Sequence, residues 1–580
     1  MRAAGARRAS TRPGTSSSPN SRSPPVRPRR TSREAALHGH YTSIWQAIAE
    51  RDPDRVAVVT RSRELSYLTL AREAGALATR LREAGLGPGD SLMIAMHNRP
   101  EYLVGLYACL ASGVAPVLVN FRFRAPELAE LIDDSRPAAM LFPSSLADVM
   151  VDAAGLAGAN APTLLVCVDD GDGETPSQAV PYAEVVAGGG SLPPEPPAGG
   201  ELRIYTGGTT GRPKAVVWPA ELILDIQDYS IYVSLGLRSP TTIDEAVDIA
   251  LGDDTPRVAV LPLAPFMHGT ALFNGLNALA IGGSIIIPEG RRLDVVDGVR
   301  LANDYRATRL IVAGDVVALP IVEAAEELGL KLETVTSIMS SGMRFSEEVK
   351  RGLHQLGSFE ILDLLAATEG GPFAVNLTRS VDDLPGRFRL LPGAAVLDED
   401  LREVQDTPGA TGTLAFRGTL PSGYHGDEEK TRKAFPVIGG LRYVVPGDMA
   451  KVLDDGSIEL LGRGSSVVNT GGEKVFPAEV EAAILEHDAV RDAVVFGMPD
   501  RRYGERVVAV VALEAGAALT RDELASFLDA GIAGYKKPKL VAFVDSLGRT
   551  PHGKIDMRRM RDLVAAFDAD ATEASTKERQ

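Results

Sequence analysis

From about residue 40 onward, short apolar runs alternate with stretches whose apolar residues recur at helical spacing. VAVVT at 56–60, SLMIAM at 91–96 and APVLV at 115–119 read as strands, whereas 67–84 and 101–112 read as amphipathic helices. Strand, helix, strand, helix leaves few options: a sheet covered by helices, the layered α/β class. Length adds a second constraint, because 580 residues exceed what one core fills. After residue 462 the texture changes to a compact string with a Gly-Gly pair, a helix at 477–487, strands at 493–496 and 507–513, and a helix at 521–528. We therefore expect a basic extension at 1–38, a large N-terminal domain of several subdomains at 39–462, a small α+β C-terminal domain at 463–560 and a polar tail at 561–580. GGGSLPPEPPAGG at 188–200 and the acidic run at 239–256 read as exposed loops.

The formal net charge of −16 argues against a general affinity for nucleic acid, which needs clustered Lys and Arg, so an anionic ligand must be held by local groups. Cys109 and Cys167 are too few for a disulfide framework or a four-cysteine zinc site and fit a reducing cytoplasm. No apolar run reaches the roughly 18 residues of a membrane-spanning helix, and the N-terminus lacks the apolar core of a secretory signal. Residues 1–35 instead carry nine Arg against one acid, Glu34, with many Ser and Pro. That composition reads as disordered, and a transit peptide, a nucleic-acid arm or a plain extension all fit it.

YTGGTTGRPK at 205–214 follows a strand-like run at 202–205. Its three glycines leave backbone N–H groups free to face phosphate oxygens, while the Thr hydroxyls and the Lys214 ammonium add donors and charge. Such a loop suits a polyphosphate. It is not the Walker loop, because Arg212 and Pro213 separate Gly211 from Lys214.

This string closely resembles the phosphate-binding signature of the acyl-adenylate-forming superfamily, the AMP-binding enzymes, departing at Gly207, where Ser is usual, and at Ala215, where Gly is usual. The family's other motifs follow in order over residues 40–560. MSSGMRFS at 339–346 resembles the segment lining the adenine and acyl pocket, with Gly342 allowing close approach. DLLAATEGG at 363–371 resembles the motif ending in Thr-Glu. The resemblance implies that Asp363 and Leu365 belong to the nucleotide site, that Thr368 touches the α-phosphate and that Glu369 holds Mg²⁺. Gly423, Tyr424, Asp427, Lys430 and Thr431 match a GY-x-x-D-x-x-K-T stretch, and VVPGD at 444–448 supplies Asp448 for the ribose hydroxyls. GRGSSVVNTGGEKVFPAEVE at 462–481 implies that Arg463 reaches the ribose and that Gly471 and Gly472 border a pantetheine channel. TPHGKID at 550–556 resembles the loop whose lysine, here Lys554, meets the carboxylate and the α-phosphate.

The implied fold is α/β, a large adenylate-forming N-terminal domain with a small mobile C-terminal domain hinged near Gly464 and Ser465. Ser465 stands where a charged residue is common, and Leu365 with Ala366 stands where an aromatic usually stacks on adenine. Thr206, Gly207, Gly208, Thr209, Thr210, Gly211 and Lys214 would grip the phosphates. PLAPFMHGTALFN at 262–274 resembles the acyl-pocket segment of fatty-acyl-CoA synthetases, in which His268 either shapes the acyl end or is a packed histidine bonded to backbone. Amino-acid-activating relatives place an Asp near here, and 266–274 holds no carboxylate, which disfavours an amino acid. VAGDVVALP at 312–320, with Gly314 in the acyl pocket, looks closest to actinobacterial acyl-CoA synthetases acting on fatty or steroid side-chain acids. ATP, Mg²⁺ and coenzyme A are then the implied co-substrates and metal. Two other readings are a ligase loading a carrier protein and a catalytically silent nucleotide-binding module.

Overall fold

The computed structural model describes residues 39–577, except 207–212, 464–467, 471–472, 501–503, 530–531, 533, 535 and 550–554. The expected basic extension at 1–38 lies outside the described residues. Alternation of buried and polar segments produces two large sheets and one small one. In the first, Val56–Val59, Ser284–Ile286, Ala259–Pro262, Arg309–Val312, Ser337–Ser341 and Glu360–Ala367 run parallel in that spatial order. The sheet then turns antiparallel through Gly370–Thr378 and continues to Ile458–Arg463, Asp448–Val452 and Thr411–Arg417.

The second sheet has eight strands, with Glu201–Thr206, Ala115–Leu118, Ser91–Ile94, Ala139–Pro143 and Leu164–Val168 parallel, and Lys214–Pro219 and Gly423–Tyr424 antiparallel at one edge. One apolar cluster joins both sheets. It takes Val58, Val260 and Ile285 from the first, Leu92, Ile94 and Ile204 from the second, and Trp45, Tyr67, Tyr102 and Tyr107 from the intervening helices. Each large side chain buried in this way contributes about 1.5–3 kcal/mol, so the cluster is what fixes the two sheets in register.

The periodicity that reads as helix at 67–84 forms Tyr67–Glu83, begun by Ser66, whose side chain accepts from Thr69 N. The acidic run at 239–256 is not a loop throughout. Ile243–Leu251 is helical, Thr242 caps it by accepting from Glu245 N, and Ala246, Val247 and Ala250 are buried. The acids Asp244, Glu245 and Asp248 mask an apolar stripe at helical spacing. The 188–200 stretch is irregular and largely exposed, but it docks on Tyr67–Glu83 at one point, where a Cβ on Gly190 would lie 2.3 Å from Ala76 N.

The small sheet contains Val468–Thr470, Glu473–Val475, Val490–Asp500, Gly504–Leu513 and Leu540–Val544, with helices Pro477–Leu485 and Arg521–Leu528. The polar tail expected from 561 needs correction. Helix Met557–Lys577 runs through that boundary, and its Met560 and Val564 are buried against Val494, Phe496 and Val508. Among the described residues no helix is long and apolar enough to cross a membrane.

Candidate active site

Parallel sheets bind ligands in the crevice beyond the carboxyl ends of their strands. Four expected site segments start there: 263–268 after Ala259–Pro262, Gly314 after Arg309–Val312, Gly342 after Ser337–Ser341, and Thr368-Glu369 after Glu360–Ala367. Gly342 has φ +78° and open space where a Cβ would project, so its backbone can be approached closely. Gly314 has φ +52°, its N–H donates to Ser340 Oγ at 2.8 Å, and a Cβ there would sit 2.1 Å from the Arg344 carbonyl oxygen. A glycine is therefore what lets helix Gly314–Leu328 begin against the 342–344 segment.

Asp363 pairs in register with Ser340, and its buried carboxylate receives Lys350 Nζ at 2.8 Å. Burial raises its pKa and Lys350 opposes that rise. The partner the structure gives this expected nucleotide contact is thus a core cation. Leu365 packs, partly exposed, against the cluster holding Phe373, Leu420 and Val444.

The strands on either side of the expected phosphate loop pair antiparallel. Thr206 on Glu201–Thr206 stands opposite Lys214 on Lys214–Pro219, and the connecting Gly207, Gly208, Thr209, Thr210 and Gly211 lie outside the described residues. On its other edge Lys214–Pro219 pairs with Gly423–Tyr424, which carries the second motif to the first. Lys214 Nζ lies 3.7 Å from Asp427 Oδ2, and Asp427 also caps helix Glu428–Ala434 by accepting from Lys430 N. The Tyr424 hydroxyl donates to Glu369 Oε1 at 2.8 Å while the Lys430 ammonium sits 4.7 Å from the Tyr424 ring centre. Trp218 Nε1 donates to the Thr368 carbonyl at 2.9 Å. Hairpin, Thr-Glu turn and 423–431 segment thus form one bonded unit. The Lys214–Asp427 pair is about a quarter exposed, so it is weak.

Asp448 and Arg463 stand opposite each other on paired strands, which brings together the two residues expected at the ribose; the Arg463 side chain lies outside the described part. Gly464, Ser465, Gly471, Gly472 and Lys554 are also outside the described residues. His268 is exposed at the start of helix Gly269–Ala280 and its side chain does not cap that helix. Two contributors were missed in the sequence. One is Trp218; the other is Asn98, whose Nδ2 donates to the carbonyls of Pro262 and Ala264 and whose Oδ1 accepts from Phe266 N, shaping the segment expected to line the acyl pocket. A polar residue just past the carboxyl end of an apolar strand was the available signal for Asn98.

Residues 45–425 match the AMP-binding enzyme family and residues 479–554 match the AMP-binding enzyme C-terminal domain. A 3-oxocholest-4-en-26-oate–CoA ligase of Rhodococcus rhodochrous is 34% identical over 533 residues, covering 89% of this chain and 94% of the relative. A medium-chain acyl-CoA ligase of Mycobacterium avium is 34% identical over 550 residues, covering 90% and 97%. Among solved structures, an anthranilate CoA ligase in complex with anthranoyl-AMP shares the fold with a TM-score of 0.75 at 20% identity, covering 92% of this chain and 98% of that one. A Mycobacterium tuberculosis fatty acyl CoA synthetase aligns with a TM-score of 0.66 at 22% identity, covering 91% and 99%. The chain belongs to the AMP-binding enzyme family and is an AMP-forming ligase of the acyl-CoA synthetase type.

Proposed function

We propose that this ligase activates a hydrophobic carboxylic acid, of fatty or steroid side-chain type, as an acyl adenylate and passes the acyl group to coenzyme A in a reducing cytoplasm. The observation that carries the reading is the bonded unit formed by the phosphate hairpin, Tyr424 and Glu369. Two features support a hydrophobic acid: 266–274 holds no carboxylate to pair with an α-ammonium, and the relatives named above are ligases of a steroid acid and of medium-chain acyl groups.

A carboxylate is a poor electrophile because it is anionic and its oxygen leaves badly. Attack of that oxygen on the α-phosphorus, in line with departing pyrophosphate, replaces it with a phosphate leaving group, so positioning and positive charge carry the step. Thr206, Gly207, Gly208, Thr209, Thr210, Gly211 and Lys214 would hold the departing phosphates, Thr368 the α-phosphate, Asp448 and Arg463 the ribose, and Gly342 and Leu365 the adenine. Lys554 would bridge the carboxylate and the α-phosphate. Asp363 would act indirectly, by anchoring its strand through Lys350. In the second step the thiol sulfur bonds to the acyl carbon, AMP leaves, and the thiol proton passes to solvent; Gly471 and Gly472 would line the thiol's approach, and His268 and Gly314 the acyl group.

Glu369 fits Mg²⁺. Tyr424 uses Oε1 alone, and Mg²⁺ is commonly held by one or two carboxylates together with substrate phosphates. Among the described residues no group of three His, Cys, Asp or Glu could hold a metal by itself, so the nucleotide would complete the ligand set. The ion when bound supplies charge that offsets the phosphate oxygens.

The test is pyrophosphate release by the purified protein with ATP and Mg²⁺ over fatty, aromatic and steroid-type acids, with and without coenzyme A. Release that needs a hydrophobic acid and is accelerated by coenzyme A is expected. Release indifferent to coenzyme A would move the acceptor to a carrier-protein phosphopantetheine, and no release with any acid would favour the silent module.

A further inference from the structure

The strand that begins with Lys214 brings one more group to the Thr-Glu turn. Side chains alternate along a strand, so Lys214, Val216 and Trp218 share one face of Lys214–Pro219 and Ala215 stands on the other. Val216 and Trp218 are buried in the cluster that joins the two large sheets, whereas Ala215 packs in a separate cluster with Met93 and Val117. The Lys214 face is therefore the one turned toward the first sheet, and all three of its residues bear on the site. Lys214 supplies a cation. Val216 pairs with Tyr424, whose hydroxyl holds the Glu369 carboxylate, and Trp218 donates its Nε1–H to the Thr368 carbonyl at 2.9 Å.

That carbonyl belongs to the peptide unit between Thr368 and Glu369. The unit is planar and trans, so its C=O and the Glu369 N–H point in opposite directions. With the carbonyl turned to a buried indole, the Glu369 N–H is turned away from it, and among the described residues this N–H has no hydrogen-bond partner. Neither Thr368 nor Glu369 has a positive φ, so the two-residue connection lacks the primed geometry that ordinarily closes a hairpin of this length. The ladder behind it also shifts register between Leu365 and Ala367. An outside tie therefore bears directly on how the turn sits.

Apolar packing alone does not call for an indole here, because Phe or Leu would fill a core position without the donor. The chain's other tryptophan, Trp45, is equally buried, and its Nε1 has no partner among the described residues. The N–H of Trp218 is thus the one that is put to use. We propose that Trp218 is a positioning residue for adenylate formation: its N–H fixes the central peptide of the Thr368-Glu369 turn, and with it the Thr368 side chain and the Glu369 N–H, in the orientation that receives the nucleotide phosphates.

The proposal rests on the ligase reading, and the experiment separates the two. Pyrophosphate release is measured against ATP and against the acid, the other substrate saturating, for the wild type, for Trp218→Phe and for two proteins carrying a tryptophan analogue at position 218 or at position 45. The analogue is the benzothiophene form, which keeps the shape of the ring and has sulfur in place of the N–H. In both proteins altered at Trp218, kcat/KM for ATP should fall about tenfold, the scale of losing a support behind a ligand-holding group, while KM for the acid stays within about twofold. The analogue at Trp45 should match the wild type, because the N–H it removes has no partner. A purely structural role would lower the denaturant midpoint and leave kcat/KM for ATP intact at temperatures where the protein is folded. An unchanged kcat/KM for ATP with the analogue at 218, or an equal loss with the analogue at 45, overturns the proposal but leaves the ligase reading standing. Absence of release by the wild type with any acid overturns both.

Discussion

Glu369 gives one of its oxygens to the Tyr424 hydroxyl, and Tyr424 is held in turn by backbone pairing with Val216 and by a Thr431 hydroxyl that accepts from its N–H at 2.9 Å. A carboxylate whose rotamer is fixed by an outer hydrogen bond binds its metal in one geometry, and removing such a support typically costs tenfold to a hundredfold. Tyr424→Phe should therefore raise the Mg²⁺ concentration needed for half-maximal pyrophosphate release by about tenfold, with little change in fold stability; an unchanged Mg²⁺ dependence would remove Tyr424 from this role. A second residue, His97, acts on stability. It borders a cavity of about 260 Å³ shared with Arg63, Arg99 and Glu289, and its buried Nε2 has no hydrogen-bond partner among the described residues. Burial lowers its pKa from 6.5 to about 4, with Arg99 adding to the effect. The unfolded chain then binds the proton more readily than the folded one, so His97 leaves stability intact above pH 6.5 and removes it as pH falls toward 4, by about 3 kcal/mol at most. Denaturant midpoints at pH 7 and pH 5 should converge in His97→Gln relative to the wild type. Equal pH slopes in the two proteins would assign the acid sensitivity to other groups.

Among elements, the turn from Arg309–Val312 into helix Gly314–Leu328 shows how backbone geometry shapes the site. Gly314→Ala forces a Cβ toward the Arg344 carbonyl at a left-handed φ, a strain of roughly 1–3 kcal/mol. The denaturant midpoint should fall accordingly and the KM for the acid should rise, because relief requires the 342–344 segment to move; a variant matching the wild type in both would show that the close approach is dispensable. Elements were legible in the sequence wherever one period dominated. Leu77, Leu81 and their neighbours at helical spacing mark Tyr67–Glu83, and unbroken apolar runs mark the buried parallel strands. Helix Ile243–Leu251 was hidden because its acids outweigh its buried Ala246, Val247 and Ala250. The tail boundary failed for a related reason, since Met560 and Val564 are too sparse within helix Met557–Lys577 to announce a buried face. Motif residues could be named from the resemblance to the family, but their partners could not. Trp218 meets Thr368 across 150 positions and Asn98 meets Ala264 across 166, and no local pattern encodes such pairs.

At the scale of the whole molecule, the groups assigned to the first step divide between two domains. Lys214 and Asp448 stand on the two large sheets and Glu369 in a turn between two strands of the first, while Lys554 lies in the stretch matched to the C-terminal domain. Adenylate formation brings two anions together and needs a cation between them, the part proposed for Lys554. Thioester formation starts from an adenylate already made, whose carbonyl is activated by its phosphate leaving group, and it asks for room for the thiol rather than for that cation. The two half-reactions should therefore be separable by one substitution. In Lys554→Ala, pyrophosphate release from ATP and acid should fall by a hundredfold or more, roughly the loss seen when one preorganised electrostatic contact to a transition state is removed. Conversion of a supplied acyl adenylate and coenzyme A to thioester should stay within about threefold of the wild type, a difference of under 1 kcal/mol. Equal loss in both assays would place Lys554 in a structural role, and retention of both would move the bridging cation to another residue. The divided outcome would confine the duty of Lys554 to the first step.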